Sequence, residues 1–166
     1  MATLAEEPRE EDGGCLVYET APLAEPIEVF GRPCFEVEVS ADRPVAQLVA
    51  RLSDVAPNGE ATRVTYGLLN LTHRDGSEDP QPLVPGERYM VRIELNGLAQ
   101  RFPAGHRIRL SVSTSYWPLV WPSPDDVTVT LHPGGCLELP ERAPRADDGE
   151  LRPFGEPEAA PELETT

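Results

Sequence analysis

Along most of the middle of this chain, apolar and polar residues alternate with a period of two, the pattern of strands with one buried and one wet face. The cleanest run is Arg88 to Leu95, which sets Tyr89, Val91, Ile93 and Leu95 against Arg88, Met90, Arg92 and Glu94. Arg107 to Thr114 repeats it, with Ile108, Leu110, Val112 and Thr114 on the core side, and Val127, Val129 and Leu131 do so opposite Thr128 and Thr130. Phe35 to Val39 points Phe35, Val37 and Val39 inward. Further strands are expected at Leu16 to Glu19, Ile27 to Phe30, Arg63 to Leu71 and Leu137 to Leu139. Val45 to Val55 differs, with Leu48, Ala50 and Leu52 on one face and Val49 and Val55 on the other. That predicts a central strand buried on both sides, or one covered by a neighbouring domain.

Turn residues punctuate these runs at roughly the 8 to 12 residue spacing of an all-β sandwich. Pro57-Asn58-Gly59 joins two strand runs, and Val84-Pro85-Gly86-Glu87 orders Pro before Gly as a type II turn requires. No long segment carries a helical period, and proline recurs throughout. The expectation is an all-β fold of about nine strands with little helix. At 166 residues the chain can close one core without disulfides or a structural metal.

Charge marks where that core begins and ends. Of the net charge of -15, a share sits in residues 1–14, with five acids and one base, and another in residues 141–166, with eight acids and three bases. These read as an acidic N-terminal tail and an acidic, proline-rich linker or tail on a domain of residues 15–140, with Leu151 and Phe154 as candidate anchors. All 14 basic residues are arginine. So acidic a chain is expected to bind neither nucleic acid nor an anionic membrane surface. The N-terminus has no leader pattern, no stretch is apolar enough for a span, and the cysteines, Cys15, Cys34 and Cys136, show no paired spacing. A soluble protein of the reducing cytoplasm is expected.

Catalytic signatures are missing. There is no Gly-x-Ser-x-Gly, which a strained nucleophile elbow demands. The histidines, His73, His106 and His132, are scattered, so no metal or other cofactor is expected. His106, at the entry of a strand, and His73, at the end of one, suit hydrogen bonding to turns better than catalysis. The acids of Asp75, Glu78 and Asp79, and the Asp125-Asp126 pair, follow no calcium-loop pattern and read as solvated charge. One surface-type feature remains. Tyr116, Trp117 and Trp121 fall within a proline-stiffened loop, Tyr116 to Pro124, that either plugs one end of the sandwich or presents a rigid aromatic patch to a partner or a sugar.

An ordered series of motifs resembles a known family. It runs through Val39-Ser40-Ala41-Asp42-Arg43-Pro44, Val49-Ala50-Arg51-Leu52-Ser53-Asp54-Val55, Val64-Thr65-Tyr66-Gly67-Leu68-Leu69-Asn70-Leu71-Thr72-His73, Phe102-Pro103-Ala104-Gly105-His106-Arg107 and Ser113-Thr114-Ser115-Tyr116-Trp117-Pro118. The series is similar to the C-terminal non-catalytic domain of the Xaa-Pro dipeptidyl-peptidase and cocaine-esterase type (CocE/NonD) serine hydrolases. The resemblance implies a jelly-roll, galactose-binding-domain-like sandwich packed against an α/β-hydrolase catalytic domain, supplied in cis upstream or in trans, whose active site it helps to wall. It carries no triad residue onto this chain, which is therefore expected to be inactive alone. His73, His106, Tyr116, Trp117 and Trp121 are the candidate interdomain or ligand surface. A free-standing carbohydrate- or protein-binding module using the same aromatic loop is the alternative.

Overall fold

A computed structural model describes residues 14–150 and Gly155. The first 13 residues and most of the expected C-terminal tail, Leu151 and Phe154 included, lie outside the described residues. The chain forms β1 (Leu16–Glu19), β2 (Ile27–Gly31), β3 (Cys34–Ala41), β4 (Gln47–Val55), β5 (Ala61–Asn70), β6 (Arg88–Glu94), β7 (Leu98–Phe102), β8 (Arg107–Ser113), β9 (Val129–Leu131) and β10 (Cys136–Glu138). Two single 3-10 turns, Leu71–His73 and Asp148–Glu150, are the only helical elements described. No helix there is long and apolar enough to cross a membrane.

The strands build an all-β sandwich of antiparallel sheets. The first sheet runs β1-β8-β4-β5, the second β10-β3-β6 with β9 also on β3, and β2 pairs with β7 in a short third sheet. In β3 and β6 the alternation read from the sequence is the alternation of burial, whereas β8 also buries the polar Ser111 between Leu110 and Val112. Phe35, Val37 and Val39 of β3 and Val91 and Ile93 of β6 meet Leu48, Ala50 and Leu52 of β4 and Ile108, Leu110 and Val112 of β8 in one core. Burying each large side chain of this set contributes about 1.5 to 3 kcal/mol. On the far side of the second sheet, Arg88 pairs with Glu38, Arg92 with Glu36 and Glu138, and Arg32 with Glu94. These exposed pairs form a wet charged lattice that adds little stability.

Turn chemistry acts where expected. Glu87 N donates to Val84 O and Gly86 adopts a φ of 81°, the type II geometry for which glycine is suited. Two details depart from the expectation. Leu98–Phe102 is a strand that the alternation did not announce, bringing the count to ten. Leu71 leaves the strand for the 3-10 turn because the Asn70 side chain accepts from the amide and hydroxyl of Thr72 and caps that turn. Beyond Pro140 the chain stays attached to β2: Phe30 N donates to Pro140 O, and Arg142 N to Glu28 O. The Arg142 side chain then grips Glu28 and Asp148, and its guanidinium holds the Asp148 carboxyl below the usual carboxylate range.

Candidate functional site

The outer face of β4 explains why that strand is apolar on both sides. The register places Val49 opposite Leu68 of β5 and Ser113 of β8, and Arg51 opposite Tyr66 and Ser111. Side chains directly opposite share a face. This face is roofed by the loop that follows β8. Tyr116 and Val120 exchange backbone hydrogen bonds, Tyr116 N to Val120 O at 2.8 Å and Val120 N to Tyr116 O at 2.6 Å, which closes the loop on itself. Both side chains then turn inward onto Val49 to make a second, smaller apolar cluster, with Tyr66 packed against it.

Tyr116 is held from several directions. Its ring meets Tyr66 edge to face at 5.8 Å, and the guanidinium carbons of Arg51 and Arg63 lie 4.9 and 5.5 Å from its centroid. Guanidiniums over a ring are attracted to it through its quadrupole, which adds to the effect of its burial. Arg51 is itself buried and also donates to Cys15 Sγ at 3.0 Å. The Gln47 amide donates to the Trp121 carbonyl, tying the far end of the loop to the start of β4. With Tyr116 and Val120 turned in, the remaining apolar residues of the loop face water: Trp117 is 64%, Leu119 52% and Trp121 65% exposed. Leu68 beside them is exposed as well. The loop thus covers β4 with one pair of side chains and presents the other three outward.

The two indoles lie against each other, with centroids 4.8 Å apart and planes at 51°. Neither ring leaves a slot between them for a sugar, nor do they form one flat platform. Their shape is a small apolar knob, suited to a concave protein surface.

The candidate histidines His73 and His106 lie apart from each other, at opposite ends of β4. His106 Nδ1 sits 2.8 Å from Asp54 Oδ1 at the Val55 end of β4, while its carbonyl accepts from Leu23 N. His73 closes the 3-10 turn beyond Asn70, which pairs with Gln47 at the opposite end of β4. The length of β4 separates the two by roughly 20 Å. His106 therefore fastens the β7–β8 turn to β4, and the His73 carbonyl accepts from Gly76 N. His132, which gave no signal in the sequence, bonds Ser40 Oγ through Nε2 at 3.0 Å, but no carboxylate bonds its ring among the described residues. The pair therefore lacks, among the described residues, the orienting acid that completes a catalytic triad.

Among the described residues no group of three or more His, Cys, Asp or Glu is placed to hold a metal. The cysteines form no disulfide, and burial pushes the Cys34 thiol above its ordinary value. Of the residues under the loop, the sequence marked Val49 only as part of a second apolar face and gave no site signal for Arg51, Arg63 or Tyr66. The second apolar face of Val45 to Val55 was the one signal that something covers them.

The sequence profile of the X-Pro dipeptidyl-peptidase C-terminal non-catalytic domain matches residues 2–147. The cocaine esterase of a Rhodococcus strain is 33% identical over 103 residues, covering 62% of this chain and 18% of that protein. The chain thus spans about a fifth of the length of that curated relative. Among solved structures, an alpha-amino acid ester hydrolase superposes with a TM-score of 0.78 at 22% identity, covering 84% of this chain and 28% of the other. An aminopeptidase from a marine sediment archaeon of the Thaumarchaeota gives the same TM-score at 23% identity, over 84% of this chain and 28% of its own. At those identities the superpositions speak to the fold.

Proposed function

The chain belongs to the X-Pro dipeptidyl-peptidase C-terminal non-catalytic domain family, and from that premise we propose that it is the accessory domain of a serine hydrolase of the dipeptidyl-peptidase or acyl-esterase type. In this reading the domain buttresses an α/β-hydrolase catalytic domain, joined to it or separate, and helps to wall its active site. Its sandwich is read as a jelly roll. The observation that carries the docking is the asymmetry of its two outer faces. One is the lattice of exposed arginine-glutamate pairs; the other presents Trp117, Leu119 and Trp121 on a loop fixed from beneath, with Leu68 of β5 exposed on the same face. An anchored aromatic knob is the composition of an interface centre, where tryptophan supplies large contact area at low entropic cost. The free-standing sugar-binding module is disfavoured by the closely packed indoles.

The chain alone is expected to leave both an activated ester and an Xaa-Pro anilide unhydrolysed, and turnover abolished by serine labelling would refute the non-catalytic role. The uncovered knob is expected to bind 8-anilinonaphthalene-1-sulfonate in the isolated chain. In the double variant Trp117→Ser, Trp121→Ser that fluorescence should fall by about half or more, with the unfolding midpoint unchanged because both rings are in water. Equal dye binding by the variant would remove the knob from the docking surface.

A further inference from the structure

We infer that the open edge of β1 pairs with β1 of a second copy of the chain, extending the first sheet through a two-fold axis. β1 ends that sheet and is bonded to β8 alone among the described residues. It is uncovered on both faces: Leu16, Val17 and Tyr18 are 50%, 40% and 49% exposed. Leu16 and Tyr18 stand in register with the core residues Val112 and Leu110, so they point to the inside of the sandwich. The second sheet does not close over them. A cleft of about 520 Å³ remains there, lined by Tyr18, Phe35, Leu110, Leu131 and Leu137 among others. An unpaired edge above an open apolar cleft is a template for strand addition.

The backbone directions select the pairing. Thr20 N donates to Ile108 O at 3.0 Å. Antiparallel alternation then directs the groups of Leu16 and Tyr18 to β8 and turns the N–H and C=O of Val17 and Glu19 to the open edge. A two-fold axis through Val17 sets Val17 opposite Val17 of the second copy and Leu16 opposite Tyr18 of the second copy. Apolar pairs therefore meet on both faces of the seam, and both cleft mouths come together beneath it. No Glu19 faces another. Each Glu19 carboxylate is already held by Arg107 at 3.1 Å and Arg109 at 2.6 Å, so the seam brings no bare charges together despite the acidity of the chain. This self-complementarity is what an isologous contact requires. The aromatic knob over β4 and β5 stays uncovered, so the pairing neither uses nor excludes the hydrolase-facing surface.

Four-residue strands alone bury less than the roughly 1,000 Å² of a stable interface, so the affinity should be micromolar and rest on closure of the clefts. In sedimentation velocity the full chain at roughly 0.1 mM, well above such a dissociation constant, is expected to run as a dimer. Val17→Pro removes the central outward donor and leaves the β8 ladder intact, since proline is tolerated on an edge strand. It should raise the dissociation constant about tenfold or more, equivalent to at least about 1.4 kcal/mol, with unchanged circular dichroism. Should that variant misfold, hydrogen exchange of the wild-type Val17 and Glu19 amides should slow with rising protein concentration. A wild type that stays monomeric at that concentration, exchange at these amides that ignores concentration, or a folded Val17→Pro chain that dimerises as well as wild type would overturn the inference.

Discussion

Phe102→Ala is expected to cost the fold about 3 to 5 kcal/mol, the range for deleting a large aromatic from a closed core. Phe102 is fully buried in the main cluster, and its backbone pairs with Ile27 at the end of the β2–β7 sheet. That short sheet has few other anchors in the core, because β7 offers only Leu98 and Phe102 inward and β2 mainly Val29. The cavity cannot be filled by collapse, since the turn after Phe102 is pinned by Gly105 N to Leu23 O and by the His106–Asp54 contact. The unfolding midpoint should fall by roughly 10 °C. His106→Ala, which removes a part-buried hydrogen bond, should cost only about 1 to 2 kcal/mol. Thermal unfolding followed by circular dichroism separates them, and equal midpoints for the two variants would show that Phe102 is not the anchor of β7.

The same strand shows where the sequence stops being informative. β6 and β8 could be read directly, because apolar core residues alternate with polar ones along each, and local alternation records that fact even though Ser111 on the outer side of β8 is buried rather than wet. β7, Leu98-Ala99-Gln100-Arg101-Phe102, has a polar middle and exists through its pairing with β2, some seventy residues earlier in the chain. A partner so distant leaves no local period. The aromatic loop is a similar case. Its composition identified a rigid cluster, but which ring turns inward depends on Val49, Arg51 and Tyr66, which lie far away in sequence and meet Tyr116 only when β4 and β5 pair. The two-sided apolar pattern of β4 predicted a cover without saying that the chain itself supplies it. His106 was legible as a structural residue, whereas its partner Asp54, 52 positions away, was not.

Gly67→Val is expected to abolish the native fold rather than weaken it. Gly67 lies in the middle of β5 opposite Ala50, where the first sheet crosses the end of β6. A Cβ at this position would stand 2.5 Å from the Glu94 carbonyl oxygen and 2.9 Å from Leu95 Cα. Both obstacles are backbone, so no side chain can swing aside. Glycine inside a strand marks this kind of close approach. The approach is fixed by Asn96 N donating to Tyr66 O and by Thr65 Oγ1 donating to Asn96 O, both at 2.9 Å. To admit a branched side chain, β5 must leave β6 and lose those bonds while the core beneath opens. The cost should exceed the ~3 kcal/mol at the upper end of ordinary overpacking. Gly67→Ala should already be strongly destabilised, because the clash begins at Cβ. The consequence reaches the docking surface, since β5 carries Tyr66, the wall against which Tyr116 packs, and the exposed Leu68. In Gly67→Ala, therefore, loosening of the Trp117–Trp121 loop should accompany the fall in unfolding midpoint, seen as loss of the near-UV circular dichroism of the packed indoles. A variant with native midpoint and native near-UV signal would mean that β5 and β6 are not in contact at Gly67.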